Sequence, residues 1–206
     1  CVTLKDKTFK QLLLLHANAH EASDKIYNSI VRANIGSAIL KPILRPYDTW
    51  GSCRLVDFDT TRPVYVTNPT KCMVSHIVCD TQSWEQKAAE ALEDMKEVFA
   101  YVKNHNLGFT MPYNMDGETK QYIPDFIIKL DDGHGPDNPL MMVREVSGEA
   151  RKDKAIKADT ARTLWMPAVN NHGGLGRWMY LEITDPWDMQ RTIRGAIKQT
   201  RQKEAA

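Results

Sequence analysis

Residues 122–148 constrain this chain more than any other stretch. They read Tyr-Ile-Pro-Asp-Phe-Ile-Ile-Lys-Leu-Asp-Asp-Gly, then a polar loop, then Leu-Met-Met-Val-Arg-Glu-Val-Ser-Gly. Two apolar runs bounded by Gly, Pro and Asp predict neighbouring β-strands, which sets Asp125 and Glu145 close together. Pro124 biases the backbone around Asp125 toward extended geometry, and Ile123, Phe126 and Ile128 anchor it to a core. Glu145 follows an apolar run at 140–143, where an unpaired carboxylate costs roughly several kcal/mol. Two like charges in a half-buried site share a proton or are neutralised by a cation, and Mg²⁺ is typically held by one or two carboxylates plus water and substrate phosphate. An ion pair of Glu145 with Arg144 or Lys129 is the structural alternative.

Around this pair the chain organises in two parts. Residues 19–33 predict a helix, with Ala22, Ile26 and Ile30 recurring every four positions. Pro42, Pro46, Gly51 and Pro63 then break the chain into short pieces, with strands expected at 55–58, 64–67 and 73–78. A boundary is expected near Gln82, which makes 1–82 a linker or docking extension and 83–206 the main domain. Ser83 and Gln86 form a capping box, and Trp84, Ala88, Ala91, Met95, Val98 and Val102 trace an apolar stripe that predicts one helix to about Asn104. Strands follow at 108–112, 122–130 and 140–146, then a helix at 151–165, a strand at 178–183 and a helix at 186–201.

Several word-like segments are more distinctive than this order. Tyr101-Val102-Lys103-Asn104 with Leu107-Gly108-Phe109, the Tyr122–Phe126 run, Glu145-Val146-Ser147, and Trp165–Asn171 followed by Gly176-Arg177-Trp178 resemble the C-terminal endonuclease region of type III-like restriction enzyme Res subunits. The resemblance runs from about Leu44 to the last helix. It implies a restriction-endonuclease-like PD-(D/E)xK fold, an α-β-β-β-α-β core with an added C-terminal helix and an N-terminal α+β extension. It implies Mg²⁺-dependent hydrolysis of DNA phosphodiesters, with metal held by Asp125, Glu145, the main-chain carbonyl of Val146 and, from the capped helix, Glu85. Local stabilisation of the helix N-terminus explains Glu85 equally well. The motif's lysine position holds Ser147, whose hydroxyl orients water but carries no positive charge. Lys154, then Lys152, are the expected replacements from the following helix; a solvated basic face is the alternative. The resemblance further implies an upstream helicase module in the same polypeptide, where ATP would act, and a possible methyltransferase partner subunit. The competing readings are a catalytically inactive DNA-binding or docking module of the same fold, and a structural bridge between subunits.

The net charge of +1 gives no global nucleic-acid signal, so any contact with double-stranded DNA has to be local. Candidate phosphate contacts are Lys157, Arg177 beside its Gly-rich turn, and the stripe Arg191, Arg194 and Lys198 with Arg201. No phosphate loop, signal peptide or long apolar segment is present, and the chain begins at Cys1, so a cytoplasmic fragment with reduced thiols and no membrane association is expected. His16 and His20 lack the glutamate of a His-Glu-x-x-His motif. Cys53, Cys72, His76 and Cys79 have the ligand types for zinc, but strand alternation turns Cys79 away from Cys72 and His76.

Overall fold

The computed structural model describes residues 15–35, 40–44, 51–79, 84–115, 118–146, 153–183 and 185–204. In chain order these form α1 (His16–Ile35), β1 (Val64–Val66), β2 (His76–Val78), α2 (Trp84–Asp94), β3 (Val98–Lys103), β4 (Met111–Met115), β5 (Glu118–Tyr122), β6 (Phe126–Leu130), β7 (Leu140–Val146), α3 (Lys154–Thr160), a π-helical turn (Ala161–Trp165), α4 (Met166–His172), β8 (Arg177–Ile183) and α5 (Met189–Glu204). The fold is mixed α/β, centred on a four-stranded sheet in the order β3-β6-β7-β8. β6 pairs antiparallel with β3 and β7, whereas β7 and β8 run parallel. A parallel neighbour requires a crossover, and α3, the π turn and α4 supply it.

Alternation assigns the two faces. Phe126, Ile128, Leu130, Leu140 and Met142 turn to one side and pack with Ala88, Ala89 and Leu92 of α2 and Met189, Ile193 and Ile197 of α5. Val143 turns to the other side and meets Met111, Tyr113, Tyr122, Ala161 and Met166. With both faces covered, β6 and β7 read as nearly continuous apolar runs. Phe126 and Met142 have no exposed surface, and each such burial stabilises the fold by about 1.5–3 kcal/mol.

Several expected elements are corrected. The helix starting near residue 83 stops at Asp94, and Val98–Lys103 is the first strand of the central sheet. Val98 and Val102 suit a helical spacing of four as well as strand alternation, and pairing with β6 decides for the strand. The strand expected at 108–112 begins at Met111 and belongs to a separate two-stranded ribbon, β4-β5. The run 122–130 divides at Ile123-Pro124-Asp125 into β5 and β6. Residues 53–55 form a 3-10 turn where a strand from 55 is expected. Beyond Trp165 the helical path continues through α4 to His172 and closes on Gly173 in the left-handed region.

Ile77 and Cys72 lie in the same core as α2 and the sheet. Glu93 of α2 accepts hydrogen bonds from the Tyr65 hydroxyl (2.8 Å), the Asn68 amide (2.7 Å) and the Tyr101 hydroxyl (2.7 Å). A division near residue 82 thus falls between elements that share one core. Cys53 is half-buried, and Cys72 and Cys79 are buried. In α1, Ile26 and Ile30 are exposed, as is Tyr27 beside them. Among the described residues no helix is long and apolar enough to cross a membrane.

Candidate active site

Register builds the site. The last paired residues of β6 and β7 are Phe126 and Arg144; Asp125 stands just before β6, and its charge acts on Glu145, the residue after Arg144. The parallel pair Glu145↔Glu182 extends the row onto β8. Glu145 and Glu182 thus lie side by side on the face covered by α3, and the charge of Asp125 acts on Glu145 from the start of β6. The backbone here is fastened from both sides: the Asp125 amide donates to the Arg144 carbonyl (3.1 Å), and the Asn104 amide donates to the Asp125 carbonyl (2.8 Å). The Asn104 side-chain amide also donates to the carbonyls of Phe109 (2.7 Å) and Pro124 (2.9 Å), holding the turn that precedes Asp125.

The Tyr122 hydroxyl donates to Glu145 Oε2 at 2.7 Å and lies 3.4 Å from the Tyr180 hydroxyl. Burial and the adjacent Asp125 push the Glu145 carboxyl up to about 7, while the Tyr122 hydrogen bond and Lys157 pull the other way and Glu182 adds to the rise. A carboxyl that changes charge near neutrality is suited to proton transfer or to a cation that displaces its proton. Burial, Glu145 and Tyr180 drive the Tyr122 phenol far above its ordinary range, so it stays a hydrogen-bond donor.

On the opposite face, the pairings Lys103↔Phe126 and Phe126↔Arg144 form a second row, one residue inward. Arg144 has no exposed surface, and its guanidinium lies 5.3 Å from the Phe126 ring. None of its three guanidinium nitrogens has a hydrogen-bond partner among the described residues. Burial pulls its pKa down to about 10, against the carboxylates of Asp125, Glu145 and Glu85. Glu85, in the first turn of α2, lies 3.9 Å from Lys103 Nζ, which donates to the Val78 carbonyl at 2.6 Å. Glu85 thus faces the cationic row. Among the described residues, the one trio of potential ligand atoms within 4.8 Å of each other is Asp132, His134 and Glu204, so Glu85 does not complete such a trio with Asp125 and Glu145.

Lys154 Nζ pairs with Glu182 Oε1 at 2.8 Å, and Arg162 Nη2 lies 3.6 Å from the other oxygen. Lys154, Arg162 and Glu182 border a cleft of about 350 Å³ with Ala155, Ala158 and Asp159. Lys157 pairs with Asp153 at 2.7 Å and lies over the rings of Tyr113 (5.6 Å) and Tyr122 (5.7 Å). It is the lysine whose charge acts on Glu145. Ser147 and Lys152 lie outside the described residues, as does the side chain of Val146.

The expected DNA contacts are scattered. Arg177 sits at the other end of the sheet, bonded to Asp132 Oδ2 (2.5 Å) and Glu204 Oε1 (2.6 Å). That guanidinium bridges the two carboxylates of the Asp132–His134–Glu204 group, so a cation already contacts both of them. Arg194 pairs with Glu97 at 2.9 Å and Arg191 pairs with Asp188. Arg194 and Lys198 border a cleft with Asp131, which follows the last residue of β6 and so lies away from Asp125.

Glu182 and Tyr122 are the site residues that sequence reasoning missed, and Arg144 enters it only as an alternative ion-pair partner of Glu145. Alternation from Trp178 and Tyr180 assigns Glu182 to the Glu145 face, but only the parallel register brings the two side by side. No protein-family model matches the chain, and neither a curated protein nor a solved structure does.

Proposed function

We propose that the chain is a Mg²⁺-dependent DNA nuclease domain on a restriction-endonuclease-like core, the endonuclease part of a type III-like restriction enzyme. The observation that carries this reading is the placement of Asp125, just before β6, near Glu145 of the neighbouring β7, with the Glu145 carboxyl raised to about 7 by burial and Asp125. The order α2, β3, β6, β7, α3, β8, with β4-β5 as an insertion, supports the same core. Asp125, Glu145 and the main-chain carbonyl of Val146 would hold the cation; a half-protonated carboxyl beside a second carboxylate fits a group that is completed by divalent charge. A bound Mg²⁺ lowers the pKa of a coordinated water and neutralises phosphate charge.

The chain's own residues set the remaining chemistry. Tyr122 fixes one Glu145 oxygen through its hydrogen bond to Oε2. Both lysines of α3 are ion-paired, Lys157 with Asp153 and Lys154 with Glu182, and Lys157 is the one whose charge acts on Glu145, the part that Ser147 does not play. An upstream helicase module, with a methyltransferase partner, would present double-stranded DNA, and the exposed Ile26 and Ile30 strip of α1 is a candidate contact. The test is cleavage of supercoiled and linear DNA with Mg²⁺ or Mn²⁺, with and without the upstream module and ATP. Asp125→Asn and Glu145→Gln are each expected to lower cleavage by about 10³-fold. A parent that never cuts, or one whose cutting both variants share, ends the catalytic reading. Arg144, a cation already beside these acids, favours a second reading, a non-catalytic DNA-binding module; metal-independent DNA binding without cleavage would single it out.

A further inference from the structure

We propose that Arg144 is a built-in counter-ion of the acidic site, a positioning residue that takes the place of one cation and limits the site to a single divalent ion on the Glu145 face. The proposal rests on the nuclease reading only in assuming that Asp125 and Glu145 accept a divalent ion.

The argument starts from cost. A guanidinium with no exposed surface and no hydrogen-bond partner among the described residues is among the least favourable groups to bury. The ring of Phe126 at 5.3 Å offsets part of that cost and contributes no negative charge. The compensating charges are the carboxylates of Asp125, just before β6, of Glu145 on β7 and of Glu85 at the start of α2, which act on it through space without a hydrogen bond. Coulomb attraction is mutual, so Arg144 offsets part of the repulsion among these carboxylates, although burial and Asp125 still prevail at Glu145. Without an internal cation, carboxylates gathered at one sheet end repel each other, and a metal-free fold opens there. With it, the end of the sheet is held closed while no ion is bound.

Position explains the limit on stoichiometry. Arg144 projects to the α2 face with Phe126 and Lys103, while Glu145, its chain neighbour, projects to the α3 face with Glu182. Asp125, at the strand end, interacts with both. An incoming cation is therefore repelled from the α2 face and accepted on the other. Glu85, beside Lys103 and Arg144, is left as a partner of those cations instead of a metal ligand.

The experiment is Mn²⁺ titration of the full chain by calorimetry and electron paramagnetic resonance, with thermal unfolding at each Mn²⁺ concentration. Arg144→Met keeps the apolar packing on Phe126 and removes the charge; Arg144→Lys keeps the charge. Parent and Arg144→Lys are expected to bind at most one Mn²⁺. Arg144→Met is expected to bind Mn²⁺ roughly tenfold to hundredfold more tightly, or to take a second ion, and to gain far more thermal stability from it than the parent does. A folded Arg144→Met whose titration superimposes on the parent's overturns the proposal. So does an Arg144→Met that remains unfolded at saturating Mn²⁺, because the role of a cation is one that an added cation can assume. The nuclease reading fails separately: a parent that binds one Mn²⁺ and never cuts, or binds none while Arg144→Met binds it, removes catalysis and leaves the assignment of Arg144 in place.

Discussion

The two ends of the central sheet treat a buried carboxylate in opposite ways. At the Arg177 end, Asp132 is 1% exposed and meets the guanidinium through two nitrogens at 3.1 and 2.5 Å. Burial alone would push its carboxyl up, but Arg177 and His134 outweigh burial and hold it below the ordinary range. At the other end Glu145 has a phenol donor and a nearby lysine, yet burial and Asp125 prevail and push it up to about 7. A carboxylate with a two-point partner is electrostatically complete and serves the fold. One left short of positive charge is open to a proton, a cation or a substrate that brings one.

Breaking the complete end is the largest expected effect. Arg177→Met strands Asp132 without its main partner and should cost about 3–5 kcal/mol, lowering Tm on the order of 10 °C. Because the Asp132 carboxyl is depressed, its contribution is present at neutral pH, above the unfolded value, and is lost as pH falls through the lower folded value. Thermal unfolding from pH 7 downward reads this directly. Adding Asp132→Asn to Arg177→Met should restore part of the loss, and a single variant that costs under about 1 kcal/mol would mean the two ends do not differ as described.

The incomplete end predicts the opposite sign. The Glu145 carboxyl is raised, so ionising it opposes folding, increasingly as pH climbs from about 4.5 and fully above about 7. Glu145→Gln should therefore stabilise the metal-free protein at pH 8 by roughly 2–4 kcal/mol and leave it unchanged near pH 4. Chemical denaturation at both pH values checks it. Equal stability of parent and variant at pH 8 would show that Glu145 is compensated as fully as Asp132.

Half of this contrast is legible in the sequence. Asp125 and Glu145 stand at the open end of a strand pair whose apolar runs, Pro124 and Gly-rich turn all specify one register, so their approach follows from period-two alternation. Glu182 joins them through a parallel pairing with a crossover of about thirty residues, and nothing local in either strand reports that register. Arg144 inside an apolar run enters the sequence reading only as an alternative ion-pair partner of Glu145. Only the arrival of α2 on that face, with Glu85 in its first turn, makes a buried cation tolerable there. The premature end of α2 has a similar cause, since Val98 and Val102 fit two periods and the partner strand, distant in sequence, selects one.

A smaller effect sharpens the comparison at Tyr122. Its hydroxyl donates to Glu145, so Tyr122→Phe removes one hydrogen bond to a half-buried carboxyl and should cost about 1–2 kcal/mol at pH 8. The same change should raise the Glu145 carboxyl further, by about one unit, and shift the midpoint of proton release on Mn²⁺ binding to higher pH. Calorimetry in buffers of different ionisation enthalpy measures that midpoint. An unchanged midpoint would assign the hydroxyl to Tyr180 instead.

The smallest expected effect separates the two lysines of α3. Lys157 lies over the Tyr122 ring at 5.7 Å and lowers the Glu145 carboxyl, while Lys154 is 2.8 Å from Glu182, which Arg162 also approaches at 3.6 Å. Lys157→Ala should thus raise the Glu145 titration by a few tenths of a unit to about one unit, because one nearby positive charge is lost in a half-buried setting. Lys154→Ala leaves Glu182 with Arg162, so its effect on Glu145 passes through a carboxylate that keeps a partner and should be smaller. Carboxyl ¹³C titration of both variants gives the comparison without any need for cleavage. If Lys154→Ala moves Glu145 more than Lys157→Ala does, then Lys154, released from Glu182, is the lysine that supplies charge where the sequence holds Ser147.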